Sequence, residues 1–220
     1  MCTAQYFQPF GKLPKEFQLA AIQIGQFCAD EVSTVKDSHG HTYFSLDWVK
    51  LTTRVKSYKG DDLTFDKLQN NPITTQSQSV DVMVGKITTF LKDALSIVLS
   101  TTEVTALAAN ILATFTDLKD SESKDWASWS SEEDQSNSSW EYRLLYAVPV
   151  DSNFKKTNPQ AAADEDYFYA LVTTTTLTAD ISTKTEWWGL EKTTTKNFSA
   201  EITAMELIVG NKFKNPPSKY

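Results

Sequence analysis

The side chains with reactive potential are few and scattered. His39 and His41, the only histidines, flank Gly40. Two imidazoles this close suggest a metal site or a catalytic base. No acid or cysteine cluster accompanies them, so Asp37-Ser38-His39-Gly40-His41 reads as a hydrophilic surface turn. Glu132-Glu133-Asp134 offers paired carboxylates of the kind used in glycoside hydrolysis. Set among Ser, Asn and Gln, the run reads instead as a solvated acidic loop. Cys2 and Cys28 make no disulfide framework, and Cys28 falls in an apolar helical pattern, as a buried thiol does. The sequence holds no P-loop, no dinucleotide-type glycine-rich turn and no G-x-S-x-G elbow. With only 7 glycines in the chain, phosphate-cradling loops are not expected. No nucleophile is matched to a base, so neither an enzyme nor a cofactor is expected. What remains is aromatic surface chemistry. Trp126, Trp129, Trp187 and Trp188 suit sugar stacking, membrane-interface anchoring or plain core packing.

Charge narrows the partners. The net charge is -7, and most of it lies between Asp117 and Asp134, where seven acids face two lysines. That balance argues against nucleic acid, which requires clustered Lys and Arg. It also argues against electrostatic capture by anionic lipid. No apolar run approaches the roughly 20 residues of a membrane-spanning helix. The first six residues show neither the basic nor the apolar region of a secretory signal. The expectation is a soluble chain that leaves its cell by a non-classical route and becomes membrane-associated on target cells.

Hydrophobic periodicity supplies the elements. Phe17, Ala20, Ala21, Ile24, Phe27 and Cys28 mark a helical stripe over about 17–32, with Pro14 just before it. Residues 43–58 read as either a short strand and a helix or one long irregular strand. Asn70-Asn71-Pro72 reads as punctuation. Beyond it, Val80, Val84, Ile87, Leu91 and Leu95 trace a helix over 80–99. Ser100-Thr101-Thr102-Glu103 reads as a capping box, and Leu107, Ile111 and Phe115 continue a second helix over 104–118. Together these predict an antiparallel helical hairpin.

Strands follow: about 140–150, 167–181 and 198–209, with 183–188 as an extension or a further strand. Here lie 11 of the 27 threonines, all between Thr157 and Thr195, and β-branched side chains suit a pleated surface. Along 167–178 one face reads Tyr, Tyr, Leu, Thr, Thr, Leu and the other Phe, Ala, Val, Thr, Thr, Thr. A sheet with one wet face shows charges at alternate positions. This one does not, so both faces should be covered. The predicted fold class is α+β: a single-domain three-layer α/β/α sandwich, its mainly antiparallel sheet wrapped by helical hairpins. Its parts are a helical region at about 17–118, an acidic polar loop at about 117–139, a strand-rich region at about 140–209 and a short tail at 210–220.

Three pieces carry a family resemblance. The first is Val80-Asp81-Val82-Met83-Val84-Gly85-Lys86-Ile87, continuing through Leu91-Lys92 and Leu95 to Leu99. The second is Ala113-Thr114-Phe115-Thr116-Asp117-Leu118, followed by Trp126 and Trp129. The third is Tyr142, Leu145, Tyr146 and Ala147. In order and spacing this stretch resembles the Cyt-type cytolytic δ-endotoxins and their relatives, the fungal volvatoxin-type haemolysins. The resemblance implies a sheet wrapped by helical hairpins. It also implies direct binding to lipid membranes, oligomerisation, pore formation or detergent-like disruption, and no enzyme activity.

Two routes into a membrane follow from the elements. A tilted strand crosses the bilayer core in roughly 9–11 residues, which 167–178 and 198–209 satisfy. The strand residues expected to insert are Tyr167, Tyr169, Leu171, Leu177, Phe198, Ile202 and Ile208. Ser199, Glu201 and Thr203 would then face a lumen, and Glu206 sits awkwardly on the apolar side. On this route the helices bearing Val80, Val84, Ile87, Leu91, Leu95, Leu107, Ile111 and Phe115 swing off the sheet. On the other route those helices lie in the membrane interface. The expected partners are a bilayer of zwitterionic phospholipid and further copies of the chain. The alternative function is a carbohydrate-binding or non-lytic virulence or interaction protein on the same fold.

Overall fold

The computed structural model describes residues 7, 9–10, 13–36, 42–79, 82, 85–86, 89–90, 128–130, 138–150, 166–179 and 195–217. The predicted first helix is α1, Lys15–Ala29, directly after Pro14. Its apolar stripe of Phe17, Ala20, Ala21, Ile24, Phe27 and Cys28 is buried. It stops at Asp30, and residues up to Lys36 form a strand instead. That strand, β2 (Val32–Lys36), pairs antiparallel with β3 (Thr42–Leu46). The first alternative for residues 43–58 therefore holds, since α2 (Trp48–Ser57) follows directly. The Asp47 side chain caps α2 by accepting a hydrogen bond from the Lys50 backbone N–H at 2.9 Å. That bond, before any other influence, holds the Asp47 carboxyl below the usual range.

The expected helical region at about 17–118 is corrected. Besides β2 and β3 it contains β4, Leu63–Ser79, a strand of 17 residues. Asn70-Asn71-Pro72 is not a break but the middle of β4, paired with Thr203, Ile202 and Glu201. The physical reason is position. β4 lies at the sheet's edge, where a proline's missing N–H removes no obligatory ladder bond. Of residues 80–118, the described ones (Val82, Gly85, Lys86, Thr89 and Phe90) are helical, and the rest of the expected hairpin lies outside the described residues. So does most of the expected acidic loop, although β5 (Ser128–Ser130) falls within its span. The expected extension at 183–188 also lies outside them.

The remaining strands are β1 (Pro9–Phe10), β6 (Ser138–Pro149), β7 (Tyr167–Ala179) and β8 (Thr195–Gly210). The sheet runs β1-β6-β7-β8-β4, with β5 also on β6. Every pairing is antiparallel except β1 with β6. α1 and α2 pack on one face, over Leu145, Ala147, Phe168, Ala170, Val172, Met205, Leu207 and Val209. The opposite face is buried too, through Leu144, Tyr169, Leu171, Ile202, Ala204 and Ile208. The α+β, mainly antiparallel three-layer architecture is thus as expected from strands with no wet face.

Two contacts fix the α1 layer closely. A Cβ on Gly25 would meet the Phe7 carbonyl oxygen at 2.9 Å, so only glycine lets the helix approach that segment. The short tail at 210–220 contributes to the core. Phe213 is 1% exposed and meets Phe27 edge-on at 5.7 Å. Asn215 receives a hydrogen bond from Arg54, which also donates to Asp30, Glu31 and the Phe27 carbonyl.

Candidate membrane-insertion surface

Strand register sorts the sheet into rows. On the face that carries α1, three rows are apolar apart from a terminal proline. Leu63, Val209, Phe168 and Pro149 form the first, Phe65, Leu207, Ala170 and Ala147 the second, and Leu68, Met205, Val172 and Leu145 the third. Along the same strands the next three rows are polar but for Pro72. They run Asn70, Thr203, Thr174 and Arg143, then Pro72, Glu201, Thr176 and Glu141, then Thr74, Ser199, Thr178 and Ser139. The helical layer serves the first three rows. Beyond them Asn70, Pro72 and Glu201 are exposed.

The boundary is closed by a buried ion pair. Arg143 is 0% exposed and donates from Nε to Glu141, which is 1% exposed. Glu141 also accepts from the Ser45 hydroxyl and from the Leu46 N–H at 3.0 Å, while Arg143 donates to the Phe44 carbonyl at 2.9 Å. Trp48 Nε1 donates to Thr174 Oγ1 at 2.9 Å. These bonds tie β3 to the fourth and fifth rows and the start of α2 to the fourth. Sequence reading missed the pair; its signal was an acid and a base two apart within an otherwise apolar strand, and therefore on one face.

The opposite face keeps apolar residues along its whole length. Thr64, Ile208, Tyr169 and Val148 share a row, as do Lys67, Glu206, Leu171 and Tyr146. Further along, Asn71, Ile202, Thr175 and Tyr142 precede a row of Ile73, Ala200, Leu177 and Trp140. Of the expected insertion residues, Tyr169, Leu171, Ile202 and Ile208 are buried on this one face. Register places Tyr167, Leu177 and Phe198 on it as well. Ser199, Glu201 and Thr203 lie on the other, so the expected division of β8 into an apolar and a polar side is the observed one.

Glu206 belongs to the second row of this face and is 3% exposed. Among the described residues neither of its oxygens has a hydrogen-bond partner. Burial pushes its pKa up to about 7, against the pull of Lys67 and with the help of Asp66. The site is costly for a carboxylate and sits in the half of the sheet that α1 covers.

The expected hairpin residues Val80, Val84, Ile87, Leu91, Leu95, Leu107, Ile111 and Phe115 lie outside the described residues, as do Trp126, Trp187 and Trp188. Trp129 is the middle residue of β5, opposite Tyr142. Among the described residues no group of three or more His, Cys, Asp and Glu could hold a metal ion, and His39 and His41 lie outside them. No described helix is long and apolar enough to cross a membrane, which leaves open crossing by strands.

The model of the Bacillus thuringiensis toxin family matches residues 50–154. Those residues run from α2 through β4 and β5 into the end of β6. Among solved structures, one described as a delta-endotoxin superposes with a TM-score of 0.69 at 15% identity, covering 96% of this chain and 84% of its own. The activated Cyt2Ba monomer from Bacillus thuringiensis subsp. israelensis gives 0.69 at 14% identity, covering 93% and 97%. The chain shares the fold of these two structures. No curated protein matches the chain.

Proposed function

We propose that this protein binds lipid bilayers directly, favouring neutral zwitterionic phospholipid, self-associates on them and permeabilises them with strands. One observation carries the reading: β8 and β4 outrun the helical layer by about the length needed to cross a bilayer, with β6 and β7 continuing beside them over 138–144 and 173–179. Residues 195–204 of β8 and 70–79 of β4 continue past the apolar rows under α1, and a tilted spanning strand needs roughly 9–11 residues. This half is polar on one face and carries Ile202, Ala204 and, by register, Leu177, Ala200 and Phe198 on the other. That is the two-sided pattern of a barrel wall, lumen against lipid. Backbone groups in lipid must all be paired, so strands insert only as a closed barrel, and self-association is part of the mechanism.

The inserting segments end at Ala204. Tyr167, Tyr169, Leu171 and Ile208 then stay in the folded half, because Phe168, Ala170 and Leu207 on the reverse of the same strands hold α1. Glu206 stays there with them and needs no place in lipid. The segment bearing Val80, Val84, Ile87, Leu91, Leu95, Leu107, Ile111 and Phe115 moves aside to free the apolar face. Trp187 and Trp188, in the connection from β7 to β8, and Trp126 and Trp129 serve as interface anchors. Dye release from protein-free phosphatidylcholine vesicles tests the reading. Release accompanied by oligomers is expected, and no release from either neutral or anionic vesicles would overturn it.

A further inference from the structure

The sheet has two edges of different character. β4 forms one of them, and among the described residues no strand lies on its outer side along its 17 residues. β6 lies near the other. Among the described residues its outer side meets β1, at Leu145 and Tyr146, and β5, at Arg143, Tyr142 and Glu141. A long open edge is a template for another strand, and native sheets blunt such edges with charge, proline and bulges. β4 carries all three: exposed Lys67, Pro72, and register shifts at Phe65/Lys67 and Thr75/Gln78. The edge is therefore guarded in the free protein, yet guarded only locally.

Strand direction decides what fits it. β6, β7, β8 and β4 are antiparallel in turn, so β4 and β6 run in opposite directions. A β4 edge set against the β6 edge of another copy continues the alternation without interruption. The contact joins two different edges, so it is heterologous and repeats around a ring. A β4–β4 contact would instead end after two copies. We infer that the β4 edge of one copy pairs with the β6 edge of the next, with β5 leaving β6 to admit it. This inference rests on the membrane reading above and names the partner as a second copy of this chain, joined by edge pairing.

Register supplies the test. Thr74, Ser199, Thr178 and Ser139 share one row, so an unstaggered join brings Thr74 of one copy beside Ser139 of its neighbour, and the tilt of a barrel shifts the pair apart along β6 by a few residues. Thr74→Cys and Ser139→Cys are made separately on a Cys2→Ser background, Cys28 being buried. They are mixed on phosphatidylcholine vesicles with bis-maleimides of graded length, the longest spanning that stagger. A covalent dimer is expected from the mixture and from neither variant alone. A dimer from Thr74→Cys alone, or none from the mixture while the vesicles leak, overturns the join and leaves the membrane reading standing. No leakage from the parent protein overturns that reading and the join with it. A second variant, Trp129→Cys with Tyr142→Cys, locks β5 to β6 in its oxidised form. It should form fewer oligomers and leak less while oxidised than after reduction, the reduced form serving as the reference because both forms lack the Trp129 ring. Undiminished oligomers in the oxidised form would overturn the displacement of β5.

Discussion

In the half of the sheet that carries Phe168, Ala170, Met205 and Leu207, α1 and α2 are seated on apolar rows and the tail closes over them through Phe213. In the half that carries Pro72, Thr176 and Glu201, the same strands continue, β6, β7 and β8 in unbroken register, but the α1-side face turns polar. The sheet is continuous across the boundary, so the length of these strands is not set by the core they cover. The first half behaves as an ordinary protein interior, where each apolar contact supports the fold. The second half is exposed on that face at Asn70, Pro72 and Glu201, keeps Ile202 and Ala204 buried on the other, and is held to the first through the buried Glu141–Arg143 pair.

The largest expected difference between the halves is in packing. Phe168 is 0% exposed and lies 5.7 Å from the Phe17 ring, so Phe168→Ala should cost about 3–5 kcal/mol. Glu201→Ala, on the exposed polar face, should change stability by no more than about 0.5 kcal/mol. Urea unfolding of the two variants measures the contrast, and equal losses would abolish the distinction. At the boundary, Arg143→Met leaves the Glu141 carboxylate buried without its cation and should cost about 3–5 kcal/mol. Adding Glu141→Leu should recover much of that loss, because removing both charges also removes the desolvation penalty. A double-mutant cycle measures the recovery.

The third expectation concerns pH. The Glu206 pKa is raised in the fold from 4.5 to about 7. Below the lower value the group is protonated whether the chain is folded or not, and stability is unaffected. As pH rises from 4.5 through 7, the folded state resists ionisation and loses stability, by roughly 3 kcal/mol in full. Glu206→Gln should flatten that slope in urea midpoints taken between pH 4.5 and 7.5, while an unchanged slope would assign it to other groups. Because Glu206 lies in the covered half, the variant should leave the far half untouched.

Much of this contrast was legible in the sequence, though not all of it. The spacing of Phe17, Ala20, Ile24 and Phe27 gave α1, and alternation along β7 and β8 separated their two faces correctly. β4 was hidden because Asn70-Asn71-Pro72 has turn chemistry, and only its edge position makes a proline acceptable there. The Glu141–Arg143 pair was hidden because its partners, Phe44, Ser45 and Leu46, lie nearly a hundred residues away in sequence and no local pattern links them. Phe213 was hidden by its basic neighbours, Lys212 and Lys214, which read as a solvated tail although the ring between them points inward. The polar rows were visible as threonines, but their end-to-end separation from the apolar rows appears only once all four strands are placed in register.

The central claim is that the far half of the sheet enters lipid while the near half stays folded. An environment-sensitive fluorophore attached through cysteine reports this directly, placed in turn at Ala200 and at Lys67 on the Cys2→Ser background. With phosphatidylcholine vesicles carrying nitroxide-labelled acyl chains, the account predicts a blue shift and quenching at Ala200 and neither at Lys67. Dye release with no change at Ala200, or with equal quenching at both positions, would contradict it.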